Sequence, residues 1–162
     1  IQVISASNYM TEHDVKYIEM WGPGGYMQMG IQLGNRISRE ETATVVIPKG
    51  KNCISACAFA AMGSSHIRID GKMMLHRPFI AAAPILERLE DILAYMGRGY
   101  LQAAYYLEDH GYSRNVMRSM MKHTSPCKFM VYTDLEVREP KDLALWSLDD
   151  SRCEMLERRV LR

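Results

Sequence analysis

A serine, a histidine and a glycine-rich turn carry the chemistry that this sequence could perform. Asn52-Cys53-Ile54-Ser55-Ala56-Cys57 places Ser55 at a helix start directly after a buried strand. There the hydroxyl is exposed, and the following N–H, that of Ala56, points toward whatever the hydroxyl attacks. Leu75-His76-Arg77-Pro78 puts a histidine at the end of a short strand. Trp21-Gly22-Pro23-Gly24-Gly25 is a second strand-to-helix junction, whose glycines leave backbone N–H groups bare for an anion or an oxyanion. Serine plus histidine, with two backbone donors nearby, is the minimum for acyl transfer. Each part also has a plainer use. A Gly-Pro-Gly-Gly turn is usually only a turn, a serine at a helix start an N-cap, and a histidine at a strand end structural. Their order and spacing together favour the chemical reading.

The elements that must position these residues follow from hydropathy and turn signals. Ile1–Ser5 reads as a short strand, and Val15–Trp21 as a better one, apolar at alternate positions and stopped by the glycine turn. Met27, Gly30, Ile31, Gly34 and Ile37 recur at three- and four-residue spacing and predict a helix. Thr42–Ile47 is β-branched and uncharged, a buried strand before Pro48, with Lys49–Asn52 as a turn. Ser55–Met62 is a helix of small residues that Gly63 stops. His66–Ile69 and Lys72–Leu75 flank Asp70-Gly71, a hairpin signal. Pro84–Asp109 is a long helical stretch interrupted at Gly97 and Gly99 and ended by Gly111; Ser113–Lys122 and Pro140–Trp146 are further helices. The alternation predicts an α/β domain with a mainly parallel sheet and right-handed crossovers. Sites in such sheets form where strands end and helices begin.

Composition bounds the function. The 162 residues fit one domain with a sizeable core. Hydrophobic content of 48% and charged content of 24% exclude a disordered chain and a disulfide-dense miniprotein. Twenty basic against nineteen acidic residues leave a net charge of +1, so no global field draws nucleic acid or an anionic membrane. No apolar run approaches the ~20 residues of a bilayer span. Thirteen Met against three Phe is the odd feature. Met20, Met27 and Met29 flank the glycine turn, and Met62, Met73 and Met74 flank the serine and histidine elements. Most read as core filler, with a few lining an adaptable cleft.

Taken together, Gly-Pro-Gly-Gly before a helix, the β-branched strand, the small-residue helix with Ser55, and Met74-Leu75-His76-Arg77-Pro78 resemble the Clp protease proteolytic subunit of the Clp/crotonase superfamily. The local match is closer still to the Clp-like predicted periplasmic proteins of bacteria, whose nucleophile segment often reads Cys-x-Ser-Ala-Cys. The resemblance runs from about Val15 to Asp149 and is specific at residues 22–30, 53–63 and 74–78. It implies one Clp/crotonase-like domain over residues 1–162, a spiral of repeated β-β-α units with a mainly parallel sheet and C-terminal helices. It also implies a serine peptidase with no cofactor and no metal. Ser55 matches the nucleophile and His76 the general base; Gly25 N–H and Ala56 N–H match the oxyanion donors. Aligning Pro140-Lys141-Asp142-Leu143 with the family's corresponding helix puts Asp134 at the triad acid, with Asp149 a weaker substitute and a Ser-His dyad the alternative. The implied partners are a peptide or protein substrate and further copies of the chain, in trimers or rings. The resemblance favours a periplasmic or secreted location, with the cytoplasm left open. Two other functions stay in view: a catalytically inactive interaction module, and an acyl-CoA enzyme that shares the oxyanion hole without needing the Ser-His pair.

The chain departs from the family in three places. Only Ala6–Asp14 lies between the first two strands, short for a crossover, so the N-terminal part is expected to be truncated or rebuilt. Arg77 and the Ala-rich Phe79–Ala83 replace a segment that serves substrate binding and ring contact. Cys53 and Cys57 flank the nucleophile. Cys57 reads as a small core hydrophobe; a disulfide, for example Cys53 with Cys127, is the sharper reading and needs an oxidising compartment. No Cys-x-x-Cys or paired-His spacing supports zinc. Tyr95, Tyr100, Tyr105 and Tyr106 read as helix packing or a subunit contact, and Arg158, Arg159 and Arg162 as a solvated basic end.

Overall fold

The computed structural model describes residues 15–76, 89–121, 128–132 and 145–147. The chain repeatedly starts in one sheet, steps into a second, and then enters a helix. Strands β1 (Tyr17–Glu19), β2 (Thr44–Ile47) and β4 (His66–Ile69) form a wholly parallel sheet in the order β1-β2-β4. Strands β3 (Asn52–Ile54), β5 (Lys72–His76), β6 (Lys128–Tyr132) and β7 (Leu145–Ser147) form the second sheet. There β3 and β5 are parallel, and β6 and β7 continue antiparallel. Gly22 adds a single parallel bridge to Cys53. The units are therefore β1, the Gly22 bridge and helix α1 (Met27–Ile37); β2, β3 and α2 (Ala56–Ala61); and β4, β5 and, further on, α3 (Leu89–Asp109). Helix α4 (Arg114–Met121) follows. This is the mixed α/β architecture that the sequence predicts, arranged in the successive β-β-α units that the resemblance implies.

The β-branched run explains the centre of the first sheet. Val45, Val46 and Ile47 are all buried, as a strand covered on both faces requires. Helices α1 and α2 pack through residues without bulk. A side chain at Gly30 would run into the Ala56 backbone, one at Gly34 into Tyr106 Oη, and one at Gly63 into the Gly34 backbone. The three- and four-residue spacing along α1 thus marks a close backbone contact as well as a buried face. Tyr106 Oη donates to Phe59 O at 2.6 Å, tying α3 to α2. Burial pushes that phenol well above its usual pKa and keeps it a neutral donor. Ala103, Leu107, Val116 and Met120 complete this side of the core. Met62, Met73, Met74 and Met120 are fully buried, which is the core-filler use of methionine.

Four sequence expectations change. His66–Ile69 and Lys72–Leu75 are not a hairpin: β4 pairs parallel with β2, and β5 pairs parallel with β3. Asp70-Gly71 is instead the step between sheets, its two N–H groups donating to Ile47 O. Asn52 belongs to a strand rather than a turn; β3 is only three residues long and shows no period of its own. Helix α3 runs unbroken through Gly97 and Gly99, since a glycine costs only ~1 kcal/mol in a packed helix. Leu145 and Trp146 lie in strand β7 rather than in a helix, paired with β6. Gly111 does end α3, with a φ of 79°. The predicted N-terminal strand, the Ala6–Asp14 connection and Phe79–Ala83 lie outside the described residues, as do Cys127, Asp134 and Asp149. No helix among the described residues is long and apolar enough to cross a membrane.

Candidate active site

Ser55 stands between the last residue of β3 and the first of α2. Its backbone has φ 57° and ψ −119°, and among the described residues it is the one non-glycine residue with positive φ. Holding a serine there costs about 1–3 kcal/mol and persists only where the surroundings enforce it. The surroundings do so from several sides. Ser55 N–H donates to Met74 O of β5 at 2.8 Å, and Ser55 O accepts from Phe59 N–H at 3.0 Å to start the helix. The side chain makes no capping hydrogen bond, so the N-cap reading of this serine does not hold. The residue as a whole is half-buried.

The glycine turn is hung on the same strand. Gly22 N–H donates to Asn52 O at 2.8 Å, and Ile54 N–H donates to Gly22 O at 3.0 Å. Gly24 then passes directly over the serine turn. Its φ is 91°, and a methyl group there would lie 2.7 Å from Ser55 Cβ and 3.1 Å from Ala56 N. Only glycine satisfies both the backbone angle and the contact. Gly25 follows with open space beside it. Among the described residues, no backbone carbonyl accepts from Gly25 N–H or Ala56 N–H. Sequence reasoning assigned a role to Gly25 and missed Gly24, although the run of glycines was the signal.

His76 is the last residue of β5 and is 9% exposed. Ile54 of β3 is level with Met74 of β5 in a parallel pair. Ser55 and His76 therefore leave adjacent strands at the same, carboxyl end of the sheet, the place where α/β sheets form sites. On its other side His76 is level with Phe129 of β6. The structure thus brings the glycine turn, Ser55, Ala56 and the His76 end of β5 into one neighbourhood.

The cysteines differ from expectation. Cys53 and Cys57 are joined by a disulfide, with Cα atoms 5.2 Å apart, so Cys53 is not available to Cys127. Cys57 packs against the core as predicted, but as half of a cystine rather than as a free hydrophobe. The bond joins the buried strand residue before the serine to the first turn of α2 after it.

No family model matches the chain, and no curated protein matches it in sequence. Solved structures do match in shape. One is a serine-to-alanine variant of the membrane-bound stomatin-specific protease 1510-N, at 16% identity and a TM-score of 0.52, covering 74% of this chain and 60% of that one. A lysine-to-alanine variant of the same protease, in complex with a substrate peptide, aligns at 18% identity and a TM-score of 0.48, covering 74% and 57%. The chain therefore spans about three-fifths of the length of these proteases. At this identity the likeness shows the fold alone, a mixed α/β fold shared with that protease.

Proposed function

We propose that the chain is a serine hydrolase of Clp-like fold that cleaves peptide bonds. Ser55 Oγ attacks the scissile carbonyl while His76 accepts its proton and later returns it to the leaving amine. The negative charge that develops on the carbonyl oxygen is met by Gly25 N–H and Ala56 N–H. Asp134 orients the imidazole and stabilises its charged form. The observation that carries this reading is Ser55 itself. It is a serine with no side-chain capping bond, held at positive φ at the carboxyl end of a strand, under a glycine turn whose Gly25 N–H has no backbone carbonyl partner among the described residues. A structural serine has no need of that conformation, whereas a nucleophile on a sharp strand-to-helix turn does. Peptides are favoured over acyl-CoA because His76 leaves the sheet beside Ser55. The similarity in fold to a stomatin-specific protease supports the same choice. The resemblance to Clp subunits and their periplasmic relatives supports a homo-oligomer and an extracytoplasmic site of action.

The test is hydrolysis of a mixed library of internally quenched fluorogenic peptides. Wild-type protein is expected to cleave members of the library, and Ser55→Ala and His76→Ala to lose that activity while keeping the wild-type circular dichroism spectrum. Cleavage that persists in folded Ser55→Ala overturns the assignment. Sedimentation at micromolar concentration checks the oligomer, for which a monomer is the contrary result.

A further inference from the structure

The Cys53–Cys57 disulfide closes a loop of five residues with Ser55 at its centre. We infer that this bond is a positioning element for the nucleophile and that the hydrolase works only while it is oxidised. The inference rests on the reading of Ser55 as nucleophile and adds a redox requirement to it.

Three observations support it. First, the bond spans the one strained non-glycine residue among the described residues. Strands β3 and β5 and the glycine turn hold Ser55 from one side, through Met74 O of β5, the Gly22 hydrogen bonds to β3 and the close pass of Gly24. The first turn of α2 holds it from the other side, and Sγ–Sγ is the covalent link between the two supports. Second, a cross-link over so short a span restricts the unfolded chain least, so little of its effect is global stabilisation. Its constraint falls on the turn. Third, Cys53 is completely buried, whereas Cys57 is only partly buried. The Cys53 sulfur is therefore shielded, and Cys57 is the half of the bond nearer solvent, the side from which a thiolate would approach.

The chemistry is dithiol–disulfide exchange. A reduced dithiol attacks the bond, Cys53 and Cys57 become two thiols, and the reagent leaves as its own disulfide, two electrons and two protons having passed to the protein. Freed of the link, Ser55 can relax toward ordinary backbone angles and carry Ala56 N–H away from the oxyanion position. A displacement of about 1 Å in such a site is worth on the order of 10²-fold in rate.

The experiment measures the rate of fluorophosphonate labelling of the 162-residue chain across a series of defined dithiol/disulfide buffers. In the same samples, thiol alkylation and peptide mapping give the fraction of Cys53–Cys57 that is bonded. The labelling rate is expected to fall by about 10²-fold on reduction. It should share its midpoint with the Cys53–Cys57 titration, recover on reoxidation, and keep that midpoint in Cys127→Ser/Cys153→Ser. Cys57→Ser is expected to show the low rate in every buffer. If that variant does not fold, chemical reduction of the wild-type chain reads the same quantity. Circular dichroism on the reduced protein separates positioning from folding: a reduced chain that unfolds overturns the positioning role. A folded reduced chain that labels at the oxidised rate overturns it too, as does a response that disappears in Cys127→Ser/Cys153→Ser. Each of these leaves the nucleophile reading intact. Failure of the oxidised chain to label at Ser55 overturns both.

Discussion

At the amino ends of β3 and β5, Gly50 and Gly71 help carry the chain from one sheet to the other; at the carboxyl ends, Gly24 lies against Ser55, with Gly25 next along the chain. At the amino end the backbone bonds to itself. Lys51 N–H donates to Pro48 O at 3.0 Å, Asp70 and Gly71 N–H both to Ile47 O at 2.9 Å, and Lys72 N–H to Lys51 O at 3.0 Å. A small groove of about 260 Å³ opens there, lined by Gly50, Lys51, Asn52, Asp70, Gly71 and Lys72. Gly50 is the one residue of its lining with positive φ, 76°, which glycine adopts without strain. At the carboxyl end the glycine turn bonds to β3 only through Gly22, and the donors beyond it have no carbonyl partner among the described residues. The contrast separates a turn that changes direction from a turn that holds Ser55 at positive φ. A turn that consumes its own hydrogen-bonding groups has little left for a substrate, whereas one that leaves them bare can bind developing charge.

Substitutions at the two ends should therefore differ in kind. Ser55→Ala is expected to lower peptide hydrolysis by roughly four to six orders of magnitude. Asp70→Asn, at the opposite end, should leave it within about twofold, since the exposed Arg68–Asp70 pair contributes little. Steady-state kinetics on both variants decides the point, and equal losses would erase the distinction. Asp134→Ala comes next, with an expected fall of about 10²–10⁴-fold in kcat. A loss below about threefold would leave a Ser-His dyad. Gly24→Ala is expected to cost about 10²-fold in kcat, the size of losing one oxyanion donor, because a methyl cannot pass Ser55. Its counterpart Gly50→Ala has open space around it at φ 76°. It should cost only roughly 1–2 kcal/mol in denaturant unfolding, with no kinetic change.

The smallest effect lies away from both ends. Tyr106→Phe leaves the buried Phe59 carbonyl without its donor and should destabilise the chain by about 1–3 kcal/mol, with activity retained. The pH dependence follows from the same phenol. Its folded pKa is raised above the unfolded value of about 10, so the stabilisation is fully present below that pH. As pH rises further, the unfolded chain ionises first and stability falls. Denaturant melts should show this alkaline decline in the wild type and a flatter one in Tyr106→Phe.

Much of this organisation was legible in the residues. The glycine spacing of α1, the buried β2 run and the serine at a strand-to-helix junction are local signals, and the structure shows each of them. What stayed hidden is set by distant pairing. Strand β3 has three residues, too few to express alternation, and forms because Gly22 and β5 flank it. The Asp70-Gly71 signal is a true turn, but it joins strands that pair with different neighbours. Leu145–Ser147 becomes a strand through its register with β6, which no local propensity encodes. The disulfide was hidden for a different reason. Its partners are four residues apart across a change from strand to helix, and only the bend at Ser55 brings their Cα atoms to 5.2 Å.

Covalent capture tests the proposed role of Ser55 as nucleophile most directly. The oxidised chain is treated with a fluorophosphonate, digested and mapped by mass spectrometry. One phosphonylated residue is expected, Ser55, on the peptide that carries the Cys53–Cys57 bond, and no adduct in Ser55→Ala. An adduct on another residue, or none on a folded wild-type chain, would contradict it.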